Sequence, residues 1–170
     1  MPHVKTTPER FELSDLARYA ETVGKGEFAH RPFTLEIDCP ADLGTVYVLK
    51  DYLETILRQL LSNAGKFTLE GGVWLKIRRE RSPQNGADMI VISVSDTGCG
   101  IPAEWATWIF EPFKIQKIYP NRAGIGLHMI RTLCQHMGGA VRFVSEVGKG
   151  TIFTVTVPAE VQDNDPGITS

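Results

Sequence analysis

One face of a predicted helix carries a row of polar side chains that could bind a phosphorylated ligand. Thr55, Gln59, Asn63 and Lys66 recur at the spacing of a single helix face. The amide oxygen of Asn63 is a suitable ligand for Mg²⁺, and Lys66 adds a cation about one turn further along. A polar row is also what any solvated helix face shows. The combination of Asn63 and Lys66, however, fits a metal-bound polyphosphate.

Two glycine-containing segments could complete such a site. Asp96 follows an apolar strand and precedes Gly98, Gly100 and Ile101. The glycines permit close backbone approach, and the carboxylate can accept a hydrogen bond from an exocyclic amine. An ordinary turn between a strand and a helix would contain the same residues. The second segment opens a helix, where unpaired backbone N–H groups and the helix dipole favour an anion. It consists of Gly124, Ile125, Gly126 and Leu127.

A basic, irregular segment precedes the second pair of glycines. Lys114, Lys117 and Arg122 lie in this segment. Their position suits a mobile lid over phosphates, whereas a charged loop taken alone is more often solvated surface. Residues Gly148–Thr151 lie between two predicted strands and are most simply explained as a tight hairpin turn.

Periodic apolar residues predict the elements that must position these side chains. The strongest helix signal covers Asp51–Phe67, and a second strong helix is predicted over Gly124–Met137 with two glycines as its stop. Weaker signals predict a helix capped by Ser14 and stopped by Gly24 and Gly26, and a short helix over 103–109. Strands are predicted over 33–37, 45–49, 73–77, 89–94, 140–145 and 152–157. Long helices and mainly antiparallel strands together predict an α+β fold, a two-layer sandwich.

Length and composition limit the class of protein. The chain has 170 residues, 42% of them hydrophobic, and a net charge of −2. These values predict one globular domain over residues 11–160, with flexible segments at 1–10 and 161–170. The balanced charge argues against nucleic-acid binding. The three cysteines form no disulfide or zinc pattern and no apolar run could span a membrane, so we expect a soluble chain in a reducing compartment.

In their order and separations, five segments resemble the ATP-binding catalytic domain of sensor histidine kinases, a branch of the GHKL ATPase superfamily. Residues 60–68 resemble the family's N box, 96–101 its first glycine box and 110–113 its F box. Residues 124–127 resemble the second glycine box and 148–151 the last. The resemblance extends over most of the chain, and it implies a mixed sheet backed by three helices, with ATP between a lid and the N-box helix.

The resemblance implies a role for each matching residue. Asn63 would ligate Mg²⁺, Lys66 would contact the phosphates of ATP, and Phe67 would pack near the adenine. Asp96 would accept a hydrogen bond from the adenine amino group, with Thr151 behind the base. The candidate catalytic residues are Asn63, Lys66 and Gln59. The other residues implied to bind nucleotide are Gly98, Gly100, Ile101, Phe113, Arg122, Gly124, Ile125, Gly126 and Leu127.

Two positions depart from the family's pattern. Gln59 occupies the first N-box position, where hydrolytic relatives carry Glu. An amide cannot take a proton from water, so simple ATP hydrolysis is disfavoured. Transfer to a histidine is unaffected, because a neutral imidazole is already a nucleophile. Arg122 stands where many members carry a further glycine. An arginine at this position reduces backbone freedom at the hinge of the lid, but its guanidinium could reach the γ-phosphate.

The phosphoacceptor of the family is missing from this sequence. None of its four histidines lies in the family's His-Glu-x-x-Thr setting. We therefore expect an excised cytoplasmic catalytic domain that transfers the γ-phosphoryl of Mg·ATP to a histidine on a separate dimerisation domain, and that serves a response regulator indirectly. The chain alone is expected to be monomeric, and the full-length protein is expected to be a homodimer that could be anchored in a membrane.

Three alternatives to the histidine kinase remain open from the sequence. The first is a nucleotide-sensing interaction module without kinase activity, which Gln59 and Arg122 keep open. The second is a serine kinase of the anti-sigma-factor type. The third is a fragment of an ATPase chaperone or topoisomerase.

Overall fold

A computed structural model describes residues 7–112 and 126–161. Within these ranges three α-helices cover one face of a five-stranded sheet, and two further strands pair separately. The helices are α1 (Ser14–Glu27), α2 (Lys50–Phe67) and α3 (Gly126–His136). The strands are β1 (Glu9–Glu12), β2 (Thr34–Asp38), β3 (Thr45–Val48), β4 (Gly72–Arg81), β5 (Asp88–Asp96), β6 (Ala140–Glu146) and β7 (Gly150–Pro158). The predicted α+β two-layer sandwich is confirmed. None of the described helices is both long and apolar enough to cross a membrane.

The sheet is mixed, as the resemblance implies. Its strand order is β2-β4-β5-β7-β6, in which β2 and β4 are parallel and every other neighbouring pair is antiparallel. Along β4, β5 and β7 buried and more exposed residues alternate, so one face of the sheet packs against the helices. Asp96 ends β5 and is paired with Thr151 of β7. The register therefore brings the first and last glycine boxes together.

α2 is the central helix of the other layer and contacts both α1 and α3. It begins at Lys50, one residue before the predicted start, and ends at Phe67 as predicted. Its buried residues form one apolar face: Leu53, Ile56, Leu57, Leu60, Leu61, Ala64 and Gly65. Burial of this face leaves the polar row partly exposed: Gln59 and Asn63 are half-buried and Lys66 is exposed.

α1 differs from its prediction at both ends. Ser14 is the first helical residue, and Leu13 before it makes no side-chain capping bond. The predicted stop at Gly24 and Gly26 is wrong, because the helix continues to Glu27. A Cβ atom at Gly24 would lie 2.6 Å from Leu35 Cδ2, so this glycine serves the close approach of α1 to β2.

The short helix predicted over 103–109 forms only a single 3-10 turn, Ala103–Trp105, followed by further turns. Its backbone bonds mostly span three residues: the N–H of Trp105 donates to the carbonyl of Pro102 at 3.0 Å, and the N–H of Trp108 donates to that of Trp105 at 3.0 Å. The Trp105 and Trp108 rings lie together, with centroids 5.3 Å apart. Side chains three residues apart eclipse in a 3-10 turn, which suits this pair of rings.

α3 ends at His136, one residue before the predicted end at Met137. The predicted glycine stop is confirmed, because Gly138 has a φ of +76°, the left-handed conformation that glycine adopts without strain. The two residues at its predicted start, Gly124 and Ile125, lie outside the described residues.

The folded part of the chain extends one or two residues beyond each of the predicted domain boundaries, 11 and 160. Glu9 and Arg10 belong to β1, where Glu9 is paired with Val48 of β3. At the other end, the N–H of Val161 donates to the carbonyl of Tyr47 at 2.8 Å. The segments predicted as flexible therefore overlap the hydrogen-bonded fold at these residues.

Candidate functional site

The polar row of α2 lies against the N-terminal end of α3. Gly126 is buried there, and a Cβ atom at this position would lie 2.9 Å from Gln59 Oε1 and 3.8 Å from Asn63 Oδ1. The N-terminal end of a helix carries unpaired backbone N–H groups and the positive end of the helix dipole. Two amide side chains and a positive helix end thus meet in one place, where a side chain larger than hydrogen at residue 126 would displace Gln59.

The amide of Asn63 fits a ligand that carries both phosphate and metal. Its Nδ2 atom is buried and has no hydrogen-bond partner among the residues that the structure describes. A buried polar atom without a partner costs free energy unless a ligand supplies one. An amide can donate Nδ2–H to a phosphate oxygen and offer its oxygen to Mg²⁺, a hard cation that prefers oxygen ligands. Lys66 is exposed one turn further along.

Asp96 forms the other end of the site and is only 9% exposed. Its Oδ1 atom accepts a hydrogen bond from the backbone N–H of Gly98 at 2.9 Å. Burial raises the pKa of Asp96 above its usual value, while hydrogen bonds from the backbone N–H groups of Gly98 and Thr151 oppose the shift. The backbone thus orients the carboxyl group, which retains lone pairs to accept a further hydrogen bond.

The loop after Asp96 is wedged between α2 and the turn joining β6 to β7. The N–H of Cys99 donates to the carbonyl of Phe67 at 3.2 Å, and a Cβ atom at Gly98 would lie 2.4 Å from that same carbonyl oxygen. On the other side, a Cβ atom at Gly100, whose φ is +77°, would lie 2.3 Å from the carbonyl oxygen of Glu146. Both glycines are required by close backbone contacts, and the contact at Gly98 joins the N box to the first glycine box.

The turn predicted between the last two strands is confirmed, and the structure gives it a further role. A Cβ atom at Gly150 would lie 1.9 Å from the carbonyl oxygen of Asp96. No side chain fits in that space. The last glycine box therefore lets β7 pass close to the end of β5, which brings the buried Thr151 next to Asp96.

Sequence reasoning missed two residues that support the site. Arg31 donates through its Nη2 atom to the carbonyls of Gly65 and Thr68, where α2 ends. The Ser145 hydroxyl on β6 contacts the backbone N–H of Ile101 at 2.7 Å and Thr151 Oγ1 at 2.8 Å. Neither residue lies in a motif. The alternation of β6 could have placed Ser145 on one face of a strand, but no local signal connects Arg31 to a helix end more than 30 residues away.

The structure brings most of the candidate site residues into two adjoining groups. Gln59 and Asn63 meet Gly126 on the helix side, and Phe67, Gly98, Ile101, Asp96 and Thr151 form the sheet side. Leu127 follows Gly126 and is buried. Lys66 is exposed on α2, and Gly100 lies against Glu146 at the end of β6. Six other candidates lie outside the described residues: Phe113, Lys114, Lys117, Arg122, Gly124 and Ile125.

Comparison with known proteins gives a consistent result. The family described as histidine kinase-, DNA gyrase B- and HSP90-like ATPase matches residues 49–161. That range includes α2, the first and second glycine boxes, α3 and the last two strands. It contains every candidate site residue named above.

Individual relatives belong to the same class. The autoinducer 2 sensor kinase/phosphatase LuxQ of Vibrio parahaemolyticus is 32% identical over an aligned length of 156 residues, and the match covers 88% of this chain and 18% of LuxQ. The full-length ShkA structure, solved in complex with AMPPNP, is 26% identical in sequence and has a TM-score of 0.72. The match covers 92% of this chain and 32% of the ShkA chain. The catalytic domain of the histidine kinase ThkA, 24% identical, shares the fold with a TM-score of 0.70; the match covers 92% of this chain and 100% of that domain.

Proposed function

This chain belongs to the histidine kinase-, DNA gyrase B- and HSP90-like ATPase family as a catalytic domain of the sensor histidine kinase type, and from that premise we propose where it binds Mg·ATP and what it does with it. ATP lies across the edge of the sheet, with its adenine at Asp96 and its phosphates between α2 and α3. The observation that carries this assignment is the close approach of Gly126 to the amides of Gln59 and Asn63. The γ-phosphoryl group is transferred to a histidine of a separate dimerisation domain.

At the adenine end, recognition rests on hydrogen-bond acceptors. The carboxylate of Asp96, held by the N–H of Gly98, accepts a hydrogen bond from the exocyclic amino group. Phe67, half-buried at the end of α2, offers an aromatic face near the base. Thr151 lies beside Asp96 on the neighbouring strand and closes the pocket from behind.

At the phosphate end, the chain supplies opposite charge and unpaired donors. The N-terminal end of α3 and the cation of Lys66 attract the phosphate oxygens. Asn63 would hold Mg²⁺ through its amide oxygen. When bound, the ion would offset the negative charge that develops on the transferring phosphoryl group. The chain's own contribution is to orient ATP and to keep its charged end between two helices.

The transfer breaks the bond between the γ-phosphorus and the oxygen that bridges it to the β-phosphate, and forms a bond from phosphorus to an imidazole nitrogen. ADP leaves with the electron pair of the broken bond. Gln59, beside Gly126, has no basic group to activate water, so hydrolysis is slow. A neutral imidazole needs no such base. In the full-length protein we expect a homodimer whose cytoplasmic phosphohistidine then serves a response regulator.

The purified chain, mixed with [γ-³²P]ATP, MgCl₂ and the dimerisation domain of its full-length protein, tests this proposal. We expect acid-labile, base-stable label on a histidine of the dimerisation domain. The Asp96→Asn variant should label it far more slowly. A dimerisation domain whose phosphoacceptor histidine is replaced by alanine is the matched negative control.

Each alternative predicts a different outcome of the same experiment. Acid-stable label would indicate a serine kinase. Steady release of inorganic phosphate by the chain alone would indicate a hydrolytic ATPase. Binding of ATP without label on any protein would indicate a nucleotide-sensing module. Any of these three outcomes would refute transfer to histidine.

A further inference from the structure

The hydroxyl of Ser145 makes contacts that no motif assigns. Its Oγ atom lies 2.7 Å from the backbone nitrogen of Ile101, 3.0 Å from the carbonyl oxygen of Gly150 and 2.8 Å from Thr151 Oγ1. Ile101 belongs to the loop after Asp96, and Thr151 is the register partner of Asp96. Ser145 therefore joins the two segments that enclose the proposed adenine pocket.

Counting protons fixes the direction of these hydrogen bonds. A serine hydroxyl has one proton to donate and two lone pairs to accept with. The N–H of Ile101 can only donate, and the carbonyl of Gly150 can only accept. Ser145 must use its single proton to bond Gly150, so Thr151 must donate its own proton to Ser145. With this arrangement all three contacts are hydrogen bonds. If Ser145 donated its proton to Thr151 instead, it would have no proton left for the carbonyl of Gly150.

The consequence falls on Thr151. Its only hydroxyl proton is committed to Ser145, and its oxygen retains lone pairs. The pocket wall formed by Asp96 and Thr151 thus presents acceptors without a free hydroxyl donor. A wall of this kind suits a purine with an amino group at its 6-position and opposes one with a carbonyl oxygen there.

We infer that Ser145 is a positioning residue that sets the preference of this domain for adenine nucleotides over 6-oxopurine nucleotides, by holding the hydroxyl proton of Thr151 away from the base. The inference rests on the proposed function, because it places the purine at Asp96. It extends that function by assigning base selectivity to a residue that does not itself touch the nucleotide.

Binding of ATP and ITP measured by isothermal titration calorimetry tests the inference. The two nucleotides differ at the 6-position of the base, which is amino in ATP and oxo in ITP. In Ser145→Ala the hydroxyl of Thr151 can turn and donate to the oxo group. We expect the ratio of ITP to ATP dissociation constants to fall by about tenfold, the effect of one hydrogen bond of roughly 1.4 kcal/mol. Ser145→Thr, which keeps a hydroxyl, should retain the ratio of the wild type.

A double-mutant cycle separates this role from a general structural one. If Ser145 acts through Thr151, then Ser145→Ala introduced into Thr151→Val should change the ratio by less than about twofold. The chain also offers a matched control: Ser93 on β5 contacts Thr154 on β7 with 3.3 Å between their hydroxyl oxygens. Ser93→Ala removes a similar cross-strand pair away from Asp96 and should leave the ratio unchanged.

The outcomes are distinguishable. An unchanged ratio in Ser145→Ala, with ATP still bound, would overturn the inference and leave the proposed function standing. The inference would also be overturned if Ser145→Ala changed the ratio of dissociation constants equally in the wild type and in Thr151→Val. If the wild-type chain binds neither nucleotide, the proposed function itself fails. Thermal unfolding of each variant identifies a loss of fold, and Ser145→Cys then replaces Ser145→Ala as the test, because a thiol is a weak hydrogen-bonding group.

Discussion

At the scale of single residues, ionisation of Asp96 should have opposite effects on the stability of the fold and on the binding of ATP. Burial raises the pKa of its carboxyl group, so the folded state binds a proton at Asp96 more readily than the unfolded chain does. The free energy of unfolding therefore decreases as pH rises through the pKa of folded Asp96, because the ionised form is the one that burial disfavours. The proposed recognition of adenine by Asp96 needs the ionised carboxylate, so affinity for ATP should increase over the same pH range.

Asp96→Asn should remove both pH dependences. We expect the variant to bind ATP more weakly by about 1–3 kcal/mol at neutral pH, because an amide N–H would face the adenine amino group. Calorimetric titration and urea unfolding, each from about pH 4 to about pH 7, measure the two effects. The difference between wild type and variant isolates Asp96. Parallel pH profiles for the two proteins would contradict this account.

Asn63 and Lys66 should be separable by their dependence on magnesium. Asn63→Ala removes the proposed metal ligand, so ATP affinity should become insensitive to Mg²⁺. Lys66→Ala removes a charge that acts directly on the phosphates, so affinity should fall while its dependence on Mg²⁺ persists. Titrations with ATP in MgCl₂ and in EDTA provide the comparison. A magnesium response that survives in Asn63→Ala would move the metal to other ligands.

At the scale of elements, the packing of α1 on β2 can be tested with two glycines of the same helix. A Cβ atom at Gly24 would lie 2.6 Å from Leu35 Cδ2, whereas a Cβ atom at Gly26 would meet no described heavy atom within 4 Å apart from the adjacent residues and backbone of its own helix. Gly26→Ala should stabilise the fold by about 0.5–1 kcal/mol through helix propensity. Gly24→Ala has the same propensity gain but should be less stable than Gly26→Ala by roughly 1 kcal/mol, because the Leu35 side chain must rotate away from the added methyl group.

Urea unfolding of the two variants measures this difference. The matched pair matters because intrinsic helix propensity cancels between them. If Gly24→Ala were as stable as Gly26→Ala, the close approach of α1 to β2 would not be needed. Packing against Leu35 would then not explain why α1 continues past Gly24 and Gly26 to Glu27.

At the scale of the whole molecule, the free cysteines report on how the fold opens. Cys99 is exposed in the loop after Asp96, whereas Cys134 is fully buried in α3. Burial raises the pKa of the Cys134 thiol to about 12. Thiolates are the reactive species, so Cys134 should be labelled by a disulfide reagent only when the core opens. Cys99 should react in the native protein.

Labelling followed by mass spectrometry at increasing urea concentration gives the measurement. Cys99 should react first, and Cys134 should react with the midpoint of global unfolding. The rate at Cys134 should therefore track the free energy of unfolding in the Gly24 and Gly26 variants. Equal labelling of both cysteines in the native state would contradict the packing of α3 on the sheet.

The sequence by itself determined the parts of this protein that depend on local order along the chain. The apolar face of α2 and the alternation of the strands are periodic, so they predicted the two-layer fold. The motifs around Asn63, Asp96, Gly126 and Thr151 indicated the candidate site residues, whose roles stay predictions. Where prediction failed, as at Gly24 and over 103–109, packing against Leu35 and between two tryptophan rings outweighed local signals.

Only the tertiary structure decided the distances and partners within the site. Contacts between Gly98 and Phe67, between Gly150 and Asp96, and between Ser145 and Ile101 join residues far apart in sequence. Such contacts arise from strand register and helix packing, which one-dimensional patterns leave open. The pairing of β1 with β3 was missed for the same reason: a four-residue strand carries little periodic signal, and its stability comes from its partner.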